Sequence, residues 1–316
     1  MKYSVFDLHC DTAHKIRKIN TDLLSRDLHV QINEMPAGGY IQTAAIWSPA
    51  GLSDRDCWQN FLDTLDNFKR QLSLFEGRAV IADNAEEIKE AVRESKYVFI
   101  PAVEDARLLS GDLSRIDILR SLGVRFMTLT WKGETVIGGS FDTSLPLTDF
   151  GKSAVRRMYE IGIIPDISHS SIETALTAAD IADEYNKPFI ATHSNSRAVY
   201  DHPRNLTPEI FDRLLRSGGI VGISFCTKHL CDESLEECDV STVMRHIDYY
   251  LSRGGEKALC LGCDYDGIDH PPKGLEFSSR LDNLAEAMLR AGYSESTVND
   301  VFFGNAMAFA EKNLKQ

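Results

Sequence analysis

The chain has 316 residues, 43% of them hydrophobic and 26% charged, which excludes a disordered, collagen-like or disulfide-stapled chain and leaves a globular protein with a large core. Its 34 basic and 47 acidic residues give a net charge of −13. A surface of that sign repels phosphate backbones, so no nucleic-acid partner is expected.

The first strand pattern, Tyr3–His9, contains Asp7 where a signal peptide would need its apolar region. No run of about 18 apolar residues follows. The expectation is a cytoplasmic protein with no membrane partner. Further β-rich runs are Tyr40–Trp47, Tyr97–Val103, Arg125–Trp131, Ile163–Ser168, Phe189–His193, Gly219–Phe225 and Ala258–Cys263. Amphipathic helical patterns fall between most of them, at Arg55–Phe75, Ala85–Ser95, Ser114–Leu122, Phe150–Ile161, Ser171–Tyr185, Pro208–Ser217 and Val240–Arg253. Two more, near Leu281–Ala291 and Ser294–Asn313, follow the last strand. Such alternation predicts a parallel sheet covered by helices, and eight units predict an α/β fold of the (β/α)8 TIM-barrel type, one domain over 1–316. No G-x-G-x-x-G follows the first strand, and no phosphate-binding P-loop motif occurs.

The seven cysteines are odd in number and lie in a large chain, against a disulfide framework. Cys260 and Cys263 are three apart in a strand pattern, so their sulfurs face opposite ways and read as buried apolar groups. Cys226, His229, Cys231 and Cys238 match no standard zinc spacing and read as incidental loop residues.

The chemistry gathers at the C-terminal ends of the strands, where barrels carry their reactive groups. His9 and Asp11 are two apart on the first, Glu104 ends the third, and His169 and His193 end the fifth and sixth. Asp264 ends the eighth. Imidazoles with carboxylates suit Zn²⁺, and five ligands exceed one open tetrahedral site. They fit two metals bridged by one carboxylate, with an acidified water as nucleophile toward an acyl carbon. Asp264 is placed to move that water's proton to a leaving amine. Arg204, in the loop after the sixth strand, is able to clamp a carboxylate. No G-x-S-x-G elbow occurs, which disfavours a serine hydrolase.

The segments D-L-H-C-D-T, I-P-A-V-E, L-R-S-L-G-V-R-F-M-T-L-T, L-T-D-F-G, P-D-I-S-H-S-S, A-T-H-S-N-S-R-A-V-Y-D-H-P-R-N-L and L-G-C-D-Y-D-G span nearly the whole chain. In order and spacing they resemble the membrane dipeptidase family, renal dipeptidase-like zinc peptidases of the amidohydrolase superfamily, and its cytoplasmic bacterial members above all. The resemblance implies a metallo-dependent-hydrolase barrel holding two Zn²⁺ per chain. It implies His9 and Asp11 on one metal, His169 and His193 on the other, and Glu104 bridging. It implies Arg204 on the C-terminal carboxylate of a dipeptide, with a D-residue tolerated there, and Asp264 as proton shuttle. A homodimer is also implied. Two positions depart from the better-known animal members. Trp131 stands where they carry a His that helps hold the scissile carbonyl, so Trp131 is assigned to substrate binding in a reshaped pocket. Asp-Ala-Arg follows Glu104 in place of Gly-Gly-His. The alternatives are another two-metal amidohydrolase and a metal-binding scaffold with impaired catalysis.

Overall fold

The computed structural model describes residues 2–35, 39–75, 77–232 and 237–315. Its strands are β1 (Val5–Cys10), β2 (Tyr40–Trp47), β3 (Ala79–Ile81), β4 (Tyr97–Glu104), β5 (Phe126–Thr128), β6 (Ile164–Asp166), β7 (Val221–Ile223) and β8 (Leu259–Leu261). The helices are α1 (Thr12–Lys18), α2 (Asp54–Ser73), α3 (Ala85–Arg93), α4 (Ser114–Ser121), α5 (Asp149–Ile161), α6 (Ile172–Tyr185), α7 (Pro208–Ser217), α8 (Val240–Ser252), α9 (Leu281–Arg290), α10 (Glu295–Asn299) and α11 (Asn305–Asn313). All strand pairs are parallel, in the order β6-β5-β4-β2-β1-β8-β7. The segment 189–193 fills the remaining gap: Ile190 bridges to Asp166 of β6 and Ala191 to Val221 of β7, both parallel. The result is a closed (β/α)8 barrel, the fold the alternating pattern predicts.

Side-chain alternation divides the core in two. Phe6, Leu8, Ile41, Val98, Ile100 and Phe126, with partners from the other strands, fill the barrel interior, and Phe309 and Leu314 near the C-terminus pack against them. The odd neighbours, such as Val5, Phe99 and Met127, pack outward against the helices. Cys260 joins the inner group and Cys263 the outer one, as their spacing predicts. None of the seven cysteines forms a disulfide.

Helix boundaries follow local chemistry. Thr148, Ser171 and Thr207 each accept a backbone N–H three residues on, which starts α5, α6 and α7. Gly162 and Gly218 end α5 and α7 with φ of 82° and 76°, a conformation that costs glycine little. Three features differ from the sequence reading. Helix α1 and strand β3, which pairs only with the start of β4, were not expected from periodicity. The helix expected over Ser294–Asn313 is interrupted by a π-turn at Asp300–Gly304. The segment Phe189–His193 runs as a strand but holds its neighbours by single bridges. Among the described residues, no helix is long and apolar enough to cross a membrane.

Candidate metal centre

A bulge in β1 aims the first two candidate residues. Asp7 pairs with Gln42 but Cys10 with Ala44, so three steps on β1 oppose two on β2. Phe6 and Leu8 face the interior, and strict alternation would send His9 outward. The extra residue reverses the phase, so that Cys10 joins the outer core and His9 turns into the barrel mouth. Asp7 holds the bulge: its Oδ1 accepts from His9 N at 3.2 Å and Cys263 N at 2.9 Å, and its Oδ2 from Cys10 Sγ at 3.0 Å.

His9 Nε2 then lies 3.5 Å from Asp11 Oδ2 and 3.7 Å from Glu104 Oε2. The other oxygen of Glu104, Oε1, lies 3.2 Å from His169 Nε2 and 3.8 Å from His193 Nε2. Those two Nε2 atoms are 2.9 Å apart. Glu104 thus presents one oxygen to His9 and the other to the His169–His193 pair. All five side chains expected as ligands converge, and each residue is at least partly buried. His9, Glu104 and His193 form one compact donor set, and His9, Asp11 and Asp264 another. His9 Nε2 has no hydrogen-bond partner, an orphaned buried donor atom of the kind a cation would satisfy.

Electrostatics agree with that donor set. Burial holds His169 and His193 well below the usual imidazole range, with the charges of Arg204 and His9 adding to the effect. Both are therefore neutral, the form that ligates. Burial also lowers His9, but Glu104 and Asp11 outweigh it and hold His9 well above its usual value. Burial, with the charge of Asp11, raises Glu104 to about 8. Burial raises Asp264 to about 7, with Asp11 adding and His9 and Arg204 opposing. Carboxyls crowded this way in a dry site favour a multivalent cation among them.

Three residues in the left-handed region shape the mouth. His169 has φ 68°, Asp264 φ 62° and Asp266 φ 67°, strain typical of functional sites. Asp264 N donates to the carbonyl of His9. Gly267 is required beside them, since a Cβ there would come within 2.2 Å of Asp11 Oδ2. Arg204 is 3% exposed. Its Nη1 donates to Ser194 Oγ and its Nη2 to the His193 carbonyl, both at 2.9 Å, and its Nε has no partner. Trp131 is half-buried, its ring 4.8 Å from Trp47 and 6.0 Å from His169. Asp11, Trp131, His169 and Asp264 line a cavity of about 340 Å³, whose rim carries Lys15, Lys18, Lys132 and Lys228.

Comparison with known proteins decides the family. The chain matches the family model for membrane dipeptidase, peptidase family M19, over residues 1–314. The chain belongs to that family. It is accordingly a metallo-dipeptidase, a hydrolase of peptide bonds. It is 30% identical to dipeptidase tcpJ of Claviceps purpurea over 95% of this chain and 75% of that protein. Its fold is similar to the crystal structure of the dipeptidase AC, an M19 metallo peptidase, at 25% identity and TM-score 0.92, with 99% of each chain covered. A metallo peptidase from Rhodobacter sphaeroides, solved with a phosphinate mimic of the dipeptide L-Ala-D-Ala, is 25% identical with TM-score 0.91 over 98% of this chain and 99% of that one.

Several supporting residues of this M19 site escaped the sequence reading. Asp166 Oδ1 accepts from Ser168 N and Thr192 N, each at 2.9 Å, and its Oδ2 from Thr128 Oγ1 and Thr192 Oγ1, each at 2.6 Å. Thr192 Oγ1 is in turn 2.9 Å from His193 Nδ1 and 3.4 Å from His9 Nδ1. The available signal was Asp166 standing inside P-D-I-S-H, at a strand end, with no role assigned. Asp7 and the rim lysines were missed as well. The Cys226–His229 pair lies 3.9 Å apart beside the cavity, and no metal-binding cluster forms there among the described residues.

Proposed function

We propose that this M19 dipeptidase is a single-domain, two-zinc enzyme, with His9 and Asp11 on one metal, His169 and His193 on the other, and Glu104 bridging. The observation that carries this reading is the division of the Glu104 carboxylate, one oxygen toward His9 and the other toward the His169–His193 pair. Neutral imidazoles with carboxylates favour zinc over harder cations. When bound, such metals supply Lewis acidity that polarises a scissile carbonyl and acidifies water.

The chain's own groups complete the reaction. Asp264, with its carboxyl raised to about 7, accepts the proton of the attacking water and returns it to the departing amine. Arg204 pairs with the C-terminal carboxylate of the dipeptide, a role supported by its buried, carboxylate-free guanidinium and orphaned Nε. Trp131 and Trp47 form an apolar wall against a substrate side chain. The Rhodobacter sphaeroides structure holds a mimic of L-Ala-D-Ala, and a C-terminal D-residue is proposed to be accepted here too. A cytoplasmic homodimer completes the proposal.

Elemental analysis should find about two zinc ions per chain, and a chelator should abolish dipeptide hydrolysis until zinc is restored. One tightly held metal per fully active chain would overturn the bridging role of Glu104. Sedimentation tests the dimer.

A further inference from the structure

At the opposite end of the barrel, where the strands begin, lies a second cavity of about 390 Å³. Arg125 immediately precedes β5, Ile163 precedes β6, and Lys187 and Pro188 lead into the bridging segment; all line it. Lys312 and Lys315, at the end of α11 and beyond it, close one side. Arg125 is 1% exposed, yet among the described residues no carboxylate lies within ion-pair distance of its guanidinium. Its Nη1 donates to the Lys315 carbonyl at 3.0 Å, and its Nε has no partner. The acids whose charge reaches it are committed elsewhere: Asp83 Oδ2 accepts from Arg120 at 2.6 Å, and Glu87 accepts from Asp83 N; Glu160, which lines the cavity, pairs with Arg157. The hydroxyl of Tyr159, also 1% exposed, is a second buried polar group without a partner among the lining residues.

An unpaired buried cation is costly, and so is an unpartnered buried hydroxyl. A chain of net charge −13 nevertheless sets Arg120, Arg125, Lys187, Lys312 and Lys315 around one hollow, against the one lining carboxylate of Glu160. Both costs are relieved by one ligand chemistry, an oxyanion that accepts from the guanidinium and from the phenol. We propose that this cavity binds a small oxyanion, the phosphate or carboxylate group of a metabolite, with Arg125 and Tyr159 as its inner ligands and the lysines as its outer field. Burial lowers Arg125 to about 10, which still leaves it fully charged at neutral pH.

The test is thermal unfolding of the zinc-loaded enzyme in chloride, inorganic phosphate or succinate at matched ionic strength. Phosphate or succinate should raise the wild-type Tm by several degrees, and the larger rise assigns the source as phosphate or carboxylate. Arg125→Met should lose most of that rise while unfolding in chloride at a Tm no lower than wild type, because it removes an uncompensated charge. Tyr159→Phe should fold as wild type and show a smaller rise, and it decides the matter should Arg125→Met not fold. An equal rise in wild type and both variants would place the anion elsewhere, the metal centre included, and overturn the proposal. No rise with either anion would do the same. A much lower Tm of Arg125→Met in chloride would show that the protein already compensates the charge, which also excludes the site.

Discussion

At the scale of single residues, the centre joins groups that need different protonation states. His169 and His193 are held neutral, whereas burial raises Glu104 to about 8 and the facing carboxylates hold His9 well above its usual value, so that the Glu104–His9 pair carries a proton at pH 7. Ligation requires the pair to deprotonate, so zinc binding should release protons and weaken as pH falls through about 8. Calorimetry in buffers of different ionisation enthalpy reads that release directly, and a zinc affinity independent of pH between 6 and 8 would contradict it. Asp264→Asn should keep both metals and lose turnover by about a hundredfold or more, the usual scale for a general acid–base group. Arg204→Ala should raise KM for free dipeptides far more than for C-terminally amidated ones. Equal effects on the two would remove Arg204 from carboxylate recognition. His9, Asp11, Glu104, His169, His193 and Asp264 were all legible as strand-end residues, because reactive groups of a barrel have only one rim to occupy. Their precise aim was not legible. The bulge that turns His9 inward depends on pairing with β2, and the φ of 68° at His169 depends on its loop.

At the scale of elements, a thinly paired seam of the barrel lies between β6 and β7, where only single bridges close the sheet. Asp166 spans it, accepting hydrogen bonds from Thr128 at the end of β5, from Ser168 and from Thr192. Two glycines beside it, Gly222 in β7 and Gly262 just after β8, leave room for the bridging segment. A Cβ on Gly222 or Gly262 would lie 2.0 or 1.9 Å from the Thr192 carbonyl oxygen and 2.8 or 2.9 Å from the other glycine's Cα. Asp166→Asn keeps the shape but replaces an acceptor of four hydrogen bonds with a group that must also donate. It should destabilise the fold by about 2–4 kcal/mol, the scale of losing charge-assisted hydrogen bonds in a buried network. Because Thr192 also orients His193, zinc affinity should fall by about 10–100-fold, as it does when a ligand's supporting partner is removed. Chemical denaturation and zinc competition measure the two effects separately, and a stable variant with unchanged affinity would show that Asp166 supports neither. Most helices and strands were visible from periodicity because each buries one face. Helix α1 and strand β3 were not. Helix α1 has only 7 residues, too few repeats for a pattern to register, and β3 is a half-buried edge strand paired only with the start of β4, so it carries no strongly apolar run.

At the scale of the whole molecule, charge is distributed against its total. The chain carries −13, yet the cavity of the site is lined by Lys15, Lys18, Lys132 and Lys228, against Asp266 and the exposed Asp269 among the acids outside the proposed centre. Asp11, Glu104 and Asp264, which count toward the acidic total, are turned inward to the centre. Once the proposed metals offset the inward carboxylates, an approaching anion meets repulsion over most of the surface and attraction at this opening, where the four lysines outnumber Asp266 and Asp269, which focuses encounter there. Dipeptides with an acidic side chain should consequently show a higher kcat/KM than their amide counterparts, and lysine-bearing ones a lower value. Screening gives the control. Debye lengths shrink from about 30 Å at 0.01 M to about 8 Å at 0.15 M, so the advantage of acidic over neutral dipeptides should fall as salt rises. Replacing Lys228 by Glu should compress the same ratio further and shift the preference toward basic dipeptides. Steady-state rates on an Ala-Glu, Ala-Gln and Ala-Lys series at two salt concentrations decide it. A ratio that ignores both salt and the Lys228→Glu change would mean that the lysines stand too far from the bound substrate to select its charge, leaving side-chain choice to the Trp47–Trp131 wall.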